Sequence, residues 1–178
     1  MRRIVKINVS NSIKSLKLIF LEDRFEKLDV FFTQIVFLGG IYMCSSVYFI
    51  DKQSNEEYIK YFLPFVILFL LYCIYRKAIE KKLTEINTIF DTKTNREILL
   101  NFFKDKDYEV SRDSKECLIL NQGGYLLSQT ISTVILISDN KIYFTILKQG
   151  FRMDPPVLYS HITLKKELEN YFASITKK

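Results

Sequence analysis

A single histidine, His161, stands in the whole chain, and its three cysteines, Cys44, Cys73 and Cys117, form no CxxC pair. Zinc sites draw on closely spaced Cys and His ligands, so this scarcity argues against a metal centre. General acid/base work needs partners around the imidazole, and none can be placed there from sequence. His161 therefore reads as a polar residue near a helix N-terminus. The glycine-containing "NQGGY", Asn121–Tyr125, lacks the GK[ST] and following helix of a phosphate loop and reads as a turn between strands. Carboxylates are scattered and none stands out as half of an acid/base couple. No catalytic, cofactor-binding or metal-ligating residue is predicted.

Charge is also missing, from two stretches. Val30–Ile50, "VFFTQIVFLGGIYMCSSVYFI", is 21 residues with no formal charge. As a helix it is about 31 Å long, close to the hydrocarbon thickness of a bilayer. A soluble alternative needs a helix sheathed by other elements on every side, and the chain has few to offer. A cleaved signal peptide fits poorly, since 29 largely polar residues precede the run and no A-x-A-like site follows. Tyr61–Tyr75, "YFLPFVILFLLYCIY", is shorter at 15 residues, about 22 Å of helix. Lys60 and Arg76 bracket it with stems long enough to reach headgroups. Tyr48, Tyr58 and Tyr61 at one end and Tyr72 and Tyr75 at the other suit aromatic belts. Including Tyr58 and Ile59, the second span reads as the returning leg of a transmembrane hairpin, with Pro64 in its first turn. In such a hairpin Cys44 and Cys73 are offset by roughly 10 Å along the axis, too far for a disulfide. No carboxylate lies in either span, so there is no sign of an ion path.

The net charge of +6 sits around these spans. Residues 1–29 carry seven Lys/Arg against four Asp/Glu, and 61–93 carry five against three. The external loop 51–60 has Lys52 and Lys60 only. The bias puts both termini in the cytoplasm. The basic excess does not form a patch on the C-terminal domain, which points to a membrane surface and away from nucleic acid.

The regions predicted are a basic arm (1–29), the hairpin (30–75), a juxtamembrane helix (76–93) and a cytosolic domain (94–178). In the arm, Ser10 or Asn11 is a candidate cap for an amphipathic helix to about Leu28, lying on the anionic inner leaflet. The alternative is a helix or strand docked on the cytosolic domain, and Val5, Ile7 and Val9 alternate well enough for a strand. The sequence leaves both open. In the hairpin, Gly39 and Gly40 are candidates for close helix packing, within the hairpin or between copies. "RKAIEKKLTEINTIFD" contains no Gly or Pro, and Ile79, Leu83, Ile86 and Phe90 form a 4-3-4 seam on the expected helix.

The cytosolic domain is expected to be α+β in the order α-β-β-β-β-α. "TNRE" makes a capping box, Thr94 with Glu97. "DYEVSR", "CLILNQ", "TISTVILIS" and "KIYFTILKQ" read as strands, the last two joined by Asp139-Asn140. Thr163 caps a terminal helix. Two helices on one face of a four-stranded antiparallel sheet follow from this order. Ile142, Phe144 and Ile146 alternate with Tyr143, Thr145 and Leu147, giving a core face and a mixed face.

This layout, best in "STVILISDNKIYFTILKQG" and "KKELENYFASI", resembles uncharacterised small bacterial inner-membrane proteins with a two-helix hairpin and a C-terminal α+β cytosolic domain. The resemblance implies a bacterial inner-membrane location and carries no active-site residues.

The loop Gln149–Ser160 is the most unusual polar stretch. Phe151, Arg152, Met153, Asp154, Pro155, Pro156 and Tyr159 are candidate interface residues on a proline-stiffened loop. The alternative is a structural loop that buries Phe151 and Leu158 under the sheet. The function expected is a membrane-anchored, non-enzymatic interaction or sensing module. Its partners are the lipid bilayer and a protein, a second copy of itself included, with no cofactor and no nucleic acid. Two other readings stand beside it: an immunity-type protein neutralising a toxin through the hairpin, and an enzyme whose site assembles only in three dimensions.

Overall fold

The computed structural model describes residues 6–20, 24–50, 57–104, 106, 108–123, 130–149, 156–158 and 160–176. Their described parts divide into two compact units. One gathers Met1–Leu21, Glu80–Phe151 and Val157–Lys178; the other gathers Glu22–Ile79 and Arg152–Pro156.

The first unit is built on strands β1 (Thr84–Asn87), β2 (Glu109–Ser114), β3 (Cys117–Gly123), β4 (Thr130–Ser138) and β5 (Lys141–Gln149). They form one antiparallel sheet in the order β1-β5-β4-β3-β2. The Asp139-Asn140 hairpin forms as expected, with Ser138 opposite Lys141 and Asn140 in the left-handed region at φ 61°. Asparagine adopts that conformation at lower cost than most residues.

The sheet has five strands, one more than the four predicted. The added strand comes from the stretch expected to be helical. Helix α3 (Glu57–Ala78) stops short of this stretch, and Thr84–Asn87 pairs with β5 through Thr84↔Phe144 and Ile86↔Ile142. Pairing the open side of β5 outweighs the modest helix preference of "KKLTEIN". The Ile79–Phe90 seam therefore does not exist as one helical stripe. Leu83 and Ile86, three residues apart, fall on opposite sheet faces and are buried in different clusters. Phe90 packs beside the Ile86 cluster, 6.3 Å from Phe172 between ring centroids. Ile79 is half-buried just beyond α3, its N–H donating to Tyr75 O at 3.1 Å.

One sheet face carries α4 (Thr92–Lys104) and α5 (Ser160–Thr176). Leu99, Leu118, Leu120, Ile135, Ile142, Phe144 and Leu168 are sealed between sheet and helices. Both helix starts differ from expectation. Asp91, not Thr94, caps α4, its Oδ1 accepting the Thr94 N–H at 3.1 Å, and Thr94 sits inside the first turn. α5 begins at Ser160, three residues before Thr163.

The mixed face is covered. Residues 6–20 lie on it, placing Leu18 in a cluster with Leu83, Cys117, Ile119, Val134, Leu136, Tyr143 and Leu147, while Ile7, Val9, Ile13 and Phe20 pack around it. The arm is not one long amphipathic helix. A short α1 (Val9–Ser15) is capped by Asn8, not by Ser10 or Asn11, and stops at Leu16, which is left-handed at φ 50°. Ser and Asn side chains compete with helical backbone bonds, and this seven-residue stretch holds four of them. The Ser12 hydroxyl accepts from Ile19 N–H at 2.8 Å and donates to Asn8 O at 2.6 Å, folding the chain back on itself.

The second unit pairs α2 (Arg24–Ile50) with α3 (Glu57–Ala78). Pro64 lies two turns into α3, because the polar flank Glu57–Lys60 joins the helix ahead of it. The expectation of a first-turn proline is corrected; the carbonyl four residues earlier loses its usual helical donor.

Candidate functional site

The described residues hold no group of three or more His, Cys, Asp and Glu side chains arranged for a metal ion. His161 lies in the first turn of α5 and is half-buried. Asp91 and Asp139 are held below the usual carboxylate range, Asp91 by the Thr94 side chain and backbone and Asp139 by Thr92 in the same way. Both serve as helix-start acceptors. Burial pushes the Cys117 thiol up to about 11, so it is a packing residue on the covered face.

Polar groups on that face are used internally. The Thr145 hydroxyl donates to Glu80 O at 2.7 Å, and the Ser132 hydroxyl donates to Asn121 Oδ1 at 2.7 Å. On the opposite side, Asn95, fully buried, donates through Nδ2 to Phe90 O at 2.9 Å and Ser138 O at 3.2 Å. It ties the start of α4 to the end of β4.

The most distinctive surface belongs to the helical unit. Stretches Val30–Phe49 and Tyr61–Ala78 are long and apolar enough to cross a membrane, yet only 6% and 11% of them is buried. Phe31, Phe32, Leu38, Tyr42, Met43 and Phe49 on α2 and Tyr61, Phe62, Phe65 and Leu68 on α3 are all more than half exposed. Gly40 sits at the helix contact, where a Cβ would stand 3.3 Å from Leu70 Cδ1; Gly39 faces open space. Of the two glycines predicted for close packing, Gly40 alone meets the neighbouring helix.

In the candidate loop, Pro156 is buried, while Phe151, Arg152, Met153, Asp154, Pro155 and Tyr159 lie outside the described residues. A second basic feature lies in a pairing that no local pattern contains. Leu16–Leu18 and Lys81–Leu83 run antiparallel, with Leu18 N–H to Lys81 O at 2.8 Å and Leu83 N–H to Leu16 O at 2.9 Å, which sets Lys17 opposite Lys82. Only the abundance of lysine on both sides of the hairpin hinted at it.

Comparison of the chain with protein-family profiles, with curated proteins and with solved structures returns no match.

Proposed function

We propose that α2 and α3 cross a lipid bilayer as a hairpin, and that the α+β unit works at its cytoplasmic surface as a non-enzymatic interaction or sensing module. The carrying observation is the apolar surface of the two helices, left uncovered along nearly their whole length. Water-soluble proteins rarely expose contiguous apolar patches beyond a few hundred Å², whereas lipid tails cover such a surface without cost. A buried core helix has the opposite signature, with most of its residues enclosed.

The topology has two supports. Residues 6–20 and 80–149 belong to one folded unit, so both flanks of the hairpin lie on the same side of any membrane it crosses. The lysine and arginine bias favours the cytoplasm for that side, and a bacterial inner membrane as the setting is what the resemblance in layout implies. Interaction is assigned to the α+β unit because it is a separately packed body with covered faces and is joined by chain to both ends of the anchor. The protein partner is expected to engage the segment Phe151–Tyr159, which joins β5 to α5 along the chain.

Alkaline carbonate washing of membranes should leave the protein in the pellet, and detergent should release it. Reporter fusions at the C-terminus and within loop 51–60 should report opposite sides. Release by carbonate, or both reporters on one side, overturns the hairpin. Affinity capture of the intact protein from detergent should recover a specific partner that Phe151→Ala and Arg152→Ala deplete. Unchanged recovery with both variants removes the loop from the proposal.

A further inference from the structure

Lys17 and Lys82 face each other across a short antiparallel ladder. The two hydrogen bonds flank the pair and are not exchanged between the two residues. In such a pair the Cα atoms are about 4.5 Å apart and both side chains leave the same side of the ladder. Leu18 and Leu83 point the other way, into the covered face of the sheet, at 2% and 4% exposure. Both lysines are exposed, and Ile19, on their side of the strand by alternation, is exposed too. Leu16, at the left-handed turn, adds a second exposed apolar side chain.

Directly opposed like charges destabilise a strand pair. Among the described residues neither ammonium is matched by a carboxylate: the ion pairs run Arg96–Asp113, Lys106–Glu167, Lys141–Glu85 and Lys165–Glu169. The neighbouring Lys81 is directed elsewhere, its Nζ 5.0 Å above the Phe20 ring. Two adjacent unmatched ammonium groups beside exposed Leu and Ile make a place for an anion with an apolar neighbour. The covalent chain fixes where it works. Lys82 is four residues past Ala78, the end of α3, and four residues span at most about 14 Å.

We infer that Lys17 and Lys82 together seat the phosphodiester of an anionic phospholipid headgroup, with Leu16 and Ile19 against the lipid interface. This rests on the membrane reading above and deepens it. All four residues belong to the α+β unit, so the seat ties that unit to the leaflet whose anionic lipids attract juxtamembrane lysines.

The test is native mass spectrometry of the full-length protein in neutral detergent, with phosphatidylglycerol or phosphatidylcholine added. Phosphatidylglycerol adducts should exceed phosphatidylcholine adducts on the wild-type chain. Lys17→Gln with Lys82→Gln should lower the phosphatidylglycerol-bound fraction at least threefold. Lys93→Gln with Lys104→Gln, the same charge loss on α4, should leave it unchanged. No loss in the first pair, or equal loss in both, overturns the seat. Without lipid the Lys17/Lys82 double variant should melt no lower than wild type, since it removes a like-charge contact; a lower melting temperature makes the pair structural and overturns the proposal. Inorganic phosphate that raises the melting temperature as much as phosphatidylglycerol does transfers the site to a soluble phosphate and overturns the lipid assignment. The two readings fail separately. A carbonate-released protein with lysine-dependent adducts loses only the spans, and a pelleting protein with lysine-independent adducts loses only the seat.

Discussion

Asp139, in the β4–β5 turn, and Thr92, the first residue of α4, are joined twice through one carboxylate oxygen. Asp139 Oδ1 accepts the Thr92 N–H at 2.9 Å and its hydroxyl at 2.7 Å. Beside them, Thr88 N–H donates to Asn140 O at 2.8 Å and Asn140 N–H donates to Phe90 O at 3.0 Å. A hairpin tip thus supplies the acceptor for a helix that starts 47 residues earlier. Asp139→Ala removes both bonds and leaves an orphan helix N–H. It should destabilise the α+β unit, as the loss of a helix cap does. Urea unfolding followed by circular dichroism checks this, and Thr92→Val should lose much of the same energy without adding fully to it.

Acid should weaken the same region. The carboxyls of Asp91 and Asp139 are depressed by hydrogen bonds from Thr94 and Thr92, so their folded values lie below the unfolded value of about 3.9. Stabilisation from such groups is complete above the unfolded value and is lost as pH falls through the folded ones. Melting temperature should therefore hold level above about pH 5 and fall below about pH 4. Asp139→Asn should flatten part of that fall. Both side chains are solvent-exposed, so the effect should shrink in high salt only as far as its Coulombic share allows.

Leu18 should matter as much as any strand residue. It is 2% exposed and reaches the sheet from the N-terminal segment. Leu18→Ala should cost about 2–5 kcal/mol, as other buried Leu→Ala changes do. An exposed control, Leu16→Ala, should shift the urea midpoint far less. Equal midpoints for Leu18→Ala and wild type would mean that the segment does not close the sheet.

The two adjacent glycines should separate cleanly. A side chain at Gly40 meets Leu70, while one at Gly39 enters open space. Gly40→Leu should overpack the helix pair by about 1–3 kcal/mol. Gly39→Leu should be neutral or stabilising, because leucine favours helix over glycine by about 0.8 kcal/mol. Thermal aggregation of the detergent-solubilised protein distinguishes the two.

Thr133 offers a stabilising change. It is fully buried among the apolar side chains of β4, and its hydroxyl makes no hydrogen bond among the described residues. Thr133→Val keeps the shape and removes an unpaired polar group, for a gain of about 1 kcal/mol. A higher urea midpoint is the expected result.

Local patterns account for the parts of this molecule that were legible without a structure. Val30–Ile50 and Tyr61–Tyr75 read as long apolar helices because composition alone makes them so, and α2 and α3 contain them. The Asp139-Asn140 turn was legible because few residues accept its backbone geometry. β2 to β5 followed from alternation and turn residues. The starts of α4 and α5 differ from expectation because candidate caps compete: Asp91 and Thr94 both suit an N-cap, and position in the fold selects between them.

What sequence determined by itself is the division into an apolar helical pair and an α+β unit, since burial preference is a property of each residue and its near neighbours. Only the tertiary structure decided the roles of Lys6–Phe20 and Thr84–Asn87. Both stretches have weak local preferences: Thr84–Asn87 reads as helix on periodicity, while Lys6–Phe20 reads equally as a helix on the leaflet or as a helix or strand docked on the cytosolic domain. The fold offered them stronger partners: an open edge on β5 for Thr84–Asn87, and an apolar sheet face for Leu18 and its neighbours. Long-range pairing and burial outweigh a few tenths of a kcal/mol of helix propensity per residue. The same long-range step set Lys17 against Lys82, 65 residues apart, a juxtaposition that no local pattern contains.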